Sequence, residues 1–269
     1  MIKIIRTLIL TLLFFSTTLL GDENTITMGY KGVERAPLMT AAPNNEGLYY
    51  ELYSTAANRI GYSLKVVRGP KKRIYQDLKN GDIDFYPGSS ISVARSSFLF
   101  YIKNGLQAGH AGLSLADLPD ITHLSQLNGL LLKQLGGHDF LYGIDGVEAK
   151  EVPKLTIEKA VQLLRAHRAE LFIYDKASLE YYLKTHGSNN LKVHPNAYKG
   201  EEPMYLGFSL NSKHFEGEKN PDYRPHKPLT LKNYPYTISE DSVAFRFGKA
   251  LQEMSQEGVT QELYEKYYR

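Results

Sequence analysis

The stretch of this 269-residue chain best equipped for chemistry is Gly81-Asp-Ile-Asp-Phe-Tyr-Pro-Gly-Ser-Ser-Ile-Ser-Val-Ala-Arg95-Ser-Ser-Phe-Leu-Phe-Tyr101. Gly81 reads as a helix stop and Ile83–Tyr86 as a short strand. A loop of small and hydroxyl residues follows, with Gly88, Ser90 and Ser92, and it ends at Arg95. Small residues leave backbone N–H groups approachable, hydroxyls add adaptable hydrogen bonds, and a guanidinium fork grips a carboxylate at two points. That is the equipment for holding a small anion, set at a strand's carboxyl end, where open α/β sheets bind ligands. The competing reading of Arg95 is a solvated surface charge. Ser90 and Ser92 serve equally well as loop caps.

Other chemistries are poorly represented. The histidines, His110, His123, His138, His167, His186, His194, His214 and His226, are scattered, with no i,i+4 pair or HExxH arrangement. No metal or other cofactor is expected. Cysteine is absent, which removes disulfides, thiolate metal sites, cysteine nucleophiles and the lipidated cysteine of a membrane tether. No nucleophile elbow or Ser-His-Asp order is visible.

The chain opens like an export leader: Lys3 and Arg6, the uncharged apolar run Thr7–Leu20, then Gly21-Asp-Glu-Asn. A basic start, a short apolar segment and a small residue before a polar one describe a secretory signal peptide, here residues 1–21. The mature protein is then expected to be free in a Gram-negative periplasm. Removing Lys3 and Arg6 leaves 30 basic against 29 acidic residues, a balance that argues against a nucleic-acid or anionic-membrane binder. Roughly 248 residues remain, enough for one large or two smaller cores. The 20 tyrosines against no tryptophan suit a wet cleft, although half-buried core tyrosines are as ordinary.

The elements that must position the loop are legible by period. Thr25–Tyr30 is a strand, followed by the turn-rich Arg35–Asn45. Leu48, Leu52, Ala56 and Ile60 make one stripe of a helix that Gly61 ends. Ser63–Val67 is a strand, Lys71–Asn80 a helix and Ile83–Tyr86 a strand, so a parallel sheet with right-handed crossovers is expected. A second α/β unit follows: strands Leu130–Gln134, Lys150–Val152, Leu171–Ile173 and Leu191–Val193, and helices Ile157–His167 and Lys176–Lys184. The tail returns as helices Val243–Glu257 and Thr260–Tyr268. Extended segments Leu106–Leu115 and Met204–Asn211 join the two units, and two crossings imply a hinge with a cleft. His214–Thr237, crowded with Pro, Lys and Tyr, has no readable period.

In this order the chain resembles the family 3 periplasmic solute-binding proteins, the type II two-lobed receptors typified by amino-acid binding proteins of ABC transporters. The residues that carry the resemblance are Lys71–Asp84, the loop Ser90-Ile-Ser92-Val-Ala-Arg95, Leu127–Gly137, Arg168–Asp175 and the closing Met254–Tyr268. It implies an α/β fold of two lobes, each with a parallel or mixed sheet and helices. The lobes would be residues 22–106 with 206–269, and residues 107–205, joined by a two-strand hinge. It also implies a monomer that carries a small carboxylate-bearing solute to an inner-membrane ABC permease. By resemblance Arg95 holds the carboxylate with Ser90, Ser92 and the backbone at Gly88. Gly136, Gly137, His138 and Asp139 offer N–H groups from the other lobe, Asp175 receives an amino group, and Tyr30 and Tyr86 are aromatic walls. Asp175 is equally readable as the N-cap of the following helix. Ala94 stands where the family has glutamate, Glu170 replaces an aspartate, and the loop is about one residue short, so the departures favour a carboxylate over an amino acid as the recognised feature.

Two other readings stay open. The fold also hosts periplasmic dehydratases of prephenate-like acids, in which Asp139, Glu170 or Asp175 would act as a general acid if burial raised its pKa. A receptor of this kind can instead signal through a membrane kinase or cyclase.

Overall fold

The structure is a computed structural model that describes residues 24–32, 34–134, 140–141, 144–153 and 155–268. The leader expected at residues 1–21 lies outside the described residues. In chain order come β1 (Thr25–Lys31), α1 (Leu48–Arg59), β2 (Ser63–Gly69), α2 (Lys71–Asn80), β3 (Phe85–Tyr86) and β4 (Leu99–Ala108). The chain then crosses into β5 (His110–Leu115), β6 (Leu130–Gln134), β7 (Glu148–Val152), α3 (Ile157–Arg165), β8 (Leu171–Asp175), α4 (Lys176–His186) and β9 (Leu191–His194). It returns through β10 (Glu202–Ser209) to α5 (Val243–Gln256) and α6 (Val259–Tyr268).

Two five-stranded sheets result, one in each lobe, with orders β2-β1-β3-β10-β4 and β7-β6-β8-β5-β9. β1 runs parallel to β2 and β3, and β6 parallel to β7 and β8. In each sheet the fourth strand is a crossing strand that pairs antiparallel, β10 with β3 and β5 with β8. The α/β class is the one the alternation of strand and helix predicts; the sheets are mixed rather than parallel throughout because the crossing strands pair antiparallel, in line with the two lobes the resemblance implies.

Local chemistry sets the elements. Gly81 closes α2 in the left-handed conformation, φ 86°, and a Cβ there would stand 2.1 Å from the Asn211 carbonyl oxygen. α5 starts at Ser242, whose hydroxyl accepts from the Phe245 N–H. In the first lobe Tyr53, Phe85 and Phe247 form the centre of the core, with ring centroids 4.9 and 5.4 Å apart at Phe85. In the second lobe successive residues of β6 and β8 point to opposite faces, as strands require. Leu131, Leu171 and Ile173 join one apolar cluster, and Leu132 and Phe172 join the other. Both faces of that sheet are therefore covered.

Three expectations change in detail. β3 is only Phe85–Tyr86, although the buried Asp84 before it donates its N–H to the Thr27 carbonyl and accepts from the Ser209 N–H at its own carbonyl. Its Oδ2 accepts from the Thr27 N–H at 2.6 Å and its Oδ1 accepts from the Ser212 hydroxyl. β4 begins at Leu99 and is the long half of the hinge. The periodless segment after His214 is organised by side chains instead: Asn233 Nδ2 donates to the Arg224 and Pro228 carbonyls at 3.0 and 3.1 Å. The Tyr234 hydroxyl donates to the Leu99 carbonyl, tying this segment to the hinge strand. Among the described residues no helix is long and apolar enough to cross a membrane.

His194 closes β9 and is 2 % exposed. Its Nδ1 accepts from the Ile121 N–H at 3.0 Å, which leaves Nε2–H to donate to Ser114 Oγ at 2.7 Å. Ser114 passes its own hydrogen to the Leu115 carbonyl. Burial, then the neighbouring Lys192, hold the imidazole below its usual value of 6.5, with Asp120 opposing. A base with a depressed folded pKa contributes stability that is intact above 6.5 and lost as pH falls toward the folded value. Thermal melts between about pH 7.5 and 5 should show that loss, and His194→Asn should melt lower at neutral pH with a shallower acid slope.

Candidate functional site

The carboxyl ends of the parallel strands face one another across the hinge. β1 ends at Lys31 and β3 at Tyr86 in the first lobe; β6 ends at Gln134 and β8 at Asp175 in the second. Between them lies a cavity of 560 Å³, walled by Lys31 and Arg35 on one side and by His110, Gln134, Asp175 and Tyr182 on the other. A larger hollow of 780 Å³ runs along β4 and α5, but its walls belong to the first lobe and the hinge strands. Of these two, the first lies where closure of the lobes would enclose a solute.

Asp175 performs the capping role. Its Oδ1 accepts from the Ser178 N–H at 2.9 Å and from the Ser178 hydroxyl at 2.6 Å. Its Oδ2 is left facing the cavity, 4.0 Å from Arg35 Nη2 of the opposite lobe. Arg35 is set by its backbone: its N–H and C=O exchange hydrogen bonds of 2.9 and 3.0 Å with Met39, which is fully buried. The side chain is closely surrounded yet keeps 42 % of its surface accessible, the condition of a group on the wall of an open cleft. Burial works against its charge, but the oxygens of Tyr49, Asp175, Tyr30 and Tyr268 outweigh it and hold the guanidinium more firmly protonated than usual.

Behind Arg35 stands a group of tyrosines. Tyr30 and Tyr86 stack at 5.8 Å, Tyr49 meets Tyr30 edge-on at 6.0 Å, and Tyr75 lies 5.4 Å from Tyr86. The Tyr30 hydroxyl is buried with no hydrogen-bond partner of good geometry. Burial raises its pKa, while the guanidinium of Arg35 beside it pulls the other way. Tyr86 is raised by burial and by Tyr30, with Arg35 and Arg95 both within electrostatic reach.

Arg95 lies on the far side of Tyr86 and Tyr75. Its Nη1 donates to the Tyr75 hydroxyl at 3.0 Å and its Nη2 to the Ser90 carbonyl at 2.8 Å. Ser90 is exposed, and the Ser92 carbonyl accepts from the Arg95 and Ser96 N–H groups. Gly88 has φ 62°, and a Cβ there would stand 2.5 Å from the Tyr49 hydroxyl, so packing alone demands glycine. Arg95, Ser90, Ser92 and Gly88 thus gather in one loop, one tyrosine layer behind the cavity wall. Gly136, Gly137, His138 and Asp139 lie outside the described residues. Glu170 is occupied structurally, accepting from the Leu130 N–H. Among the described residues no three His, Asp or Glu side chains converge as a metal site would need.

Sequence reasoning passed over Lys31 and Arg35. The available signal was their place at the carboxyl end of the first strand, where sheets of this class hold ligands.

Residues 26–269 match the model of the bacterial extracellular solute-binding proteins, family 3. The chain belongs to this family. The family consists of extracellular binding proteins, and solved structures agree with the membership in fold. The L-cystine solute receptor of Neisseria gonorrhoeae, in an unliganded open conformation, is 16% identical with a TM-score of 0.67, covering 92% of this chain and 94% of its own. The second substrate-binding domain of GlnP from Lactococcus lactis, also open, is 15% identical with a TM-score of 0.66, covering 92% and 96%. The ligand-binding core of GluR0 from Nostoc punctiforme, in complex with L-glutamate, is 17% identical with a TM-score of 0.56, covering 91% and 98%. No curated protein sequence matches the chain.

The cap and cleft roles of Asp175 in this family 3 protein separate by substitution. Asp175→Ala removes the cap of α4 and should lower the unfolding free energy by about 1 kcal/mol. Asp175→Asn keeps an oxygen for Ser178 and should cost well under half of that. Urea unfolding of both variants measures the difference.

Proposed function

We propose that this chain is a periplasmic solute-binding receptor that captures a small carboxylate-bearing solute by closure of its two lobes and delivers it to an ABC-type membrane transporter. The observation that carries the reading is the 560 Å³ cavity walled by strand ends from both lobes. A cavity shared in this way shrinks and loses water when a hinge closes, and charge-assisted hydrogen bonds inside it strengthen as water leaves.

In this reading the leader at residues 1–21 directs export and is removed, no lipid anchor is added, and the lobes divide near residues 106 and 206. Arg95 and its loop, with Tyr30 and Tyr86, back the first-lobe wall of the cavity, and Asp175 presents an oxygen from the second lobe. Support for transport comes from family membership and from the GlnP domain, itself a substrate-binding domain. Among the described residues the dehydratase reading finds no free general acid, since Glu170 is tied to the backbone and Asp175 caps its helix; Asp139 lies outside the described residues.

A thermal-shift panel of amino acids, organic acids and small peptides tests the proposal. One chemical class should raise the melting temperature in proportion to the logarithm of its concentration, adding about 2.7 kcal/mol at a hundredfold excess over Kd. The radius of gyration from small-angle scattering should fall on saturation with the same compound. A flat response across the whole panel would defeat the receptor reading.

A further inference from the structure

We infer that Lys31 and Arg35, at the carboxyl end of β1, form the anion-holding subsite of the cleft, and that Arg35 answers Asp175 in the place a ligand ammonium would take. The solute is therefore a small organic acid without an α-ammonium group. This rests on the receptor reading above and names the solute class for it.

Three observations converge. First, Lys31 and Arg35 line the cavity, whereas Arg95 does not. Two terminal nitrogens of the Arg95 fork are already committed to Tyr75 and to Ser90. Second, the first-lobe wall crowds like charges: burial, then Arg35 and Lys71, lower the pKa of Lys31. Among the described residues no carboxylate forms an ion pair with Lys31. Cations held together near low-dielectric walls are relieved by an anion placed between them.

Third, Asp175 has a single oxygen to offer. Oδ1 is spent on Ser178, and Oδ2 stands 4.0 Å from Arg35. An incoming ammonium would have to displace Arg35 from that oxygen. Glu34 and Glu158 also border the cavity, and His110, His186, Tyr174, Tyr181 and Tyr182 complete its titratable lining.

Matched pairs that differ only by the amine provide the test: succinate against L-aspartate, and glutarate against L-glutamate, measured by calorimetry on wild type, Lys31→Gln and Arg35→Gln. In wild type the acid of at least one pair should bind at least about ten-fold tighter than its amino counterpart. Lys31→Gln should weaken that acid about ten-fold or more with the apo melting temperature unchanged, and Arg35→Gln should reverse the order within the pair by freeing Asp175. The wild-type ratio requires no variant to fold. Preference for the amino member in both pairs overturns the inference while leaving the receptor reading intact. Silence from both pairs, with a response to other amino acids in the thermal-shift panel, overturns it in the same way. Silence from every compound overturns both.

Discussion

The structure depends on one ladder. β4 and β10 pair antiparallel from Leu99↔Ser209 to Ala108↔Glu202, with a register irregularity between Pro203 and Tyr205. Beyond that point the two chains separate: the one leaving β4 becomes β5 and pairs with β8 and β9. Each lobe is thus built around a strand that also serves the connection between lobes. The ladder fixes where the carboxyl ends of β1, β3, β6 and β8 face one another, and so where a cavity can form. A two-stranded connection bends and twists far more readily than a covered sheet, so it is the connection that closure of the proposed receptor would use.

Side-chain contacts of α6 add a second tie between the lobes. The Tyr264 hydroxyl of α6 donates to Glu180 of α4 at 2.8 Å, and Lys266 and Tyr267 bind Glu51 of α1. α6 therefore rests on the first lobe and touches the second at the N-terminal half of α4, close to Asp175. The helix that Asp175 caps is the same one α6 braces. Position and orientation of the Asp175 carboxylate follow from backbone packing more than from the cleft's own charges.

Much of this was legible by period and punctuation. The stripe of α1, the glycine after α2, and the serine before α5 mark their own ends, and Asp175 before Lys176 reads as the cap it is. What escaped was arranged by tertiary contact. Ile83 and Asp84 have a strand's pattern and Asp84 keeps backbone bonds to Thr27 and Ser209, but no pattern announces that its carboxylate also ties the Thr27 N–H to the Ser212 hydroxyl. Arg35 sits in a turn-rich segment with no period, and its relation to Asp175 exists only because two sheets face each other. The serine-rich loop before Arg95 looked self-sufficient as an anion grip, yet two of the arginine's donors turn back to its own loop and to Tyr75. Composition describes which donors a segment owns; packing decides how many of them remain free.

The place of β10 also orders the assembly of the chain. Gly207 pairs with Tyr86 across the whole intervening second lobe, so the first sheet stays open between β3 and β4 until the polypeptide has returned. The second sheet draws all its strands from one continuous stretch and pays less loop-closure entropy. Contact order therefore favours that lobe as the earlier folder. The larger core, by contrast, closes only when a strand from the far side of the second lobe is threaded into its middle.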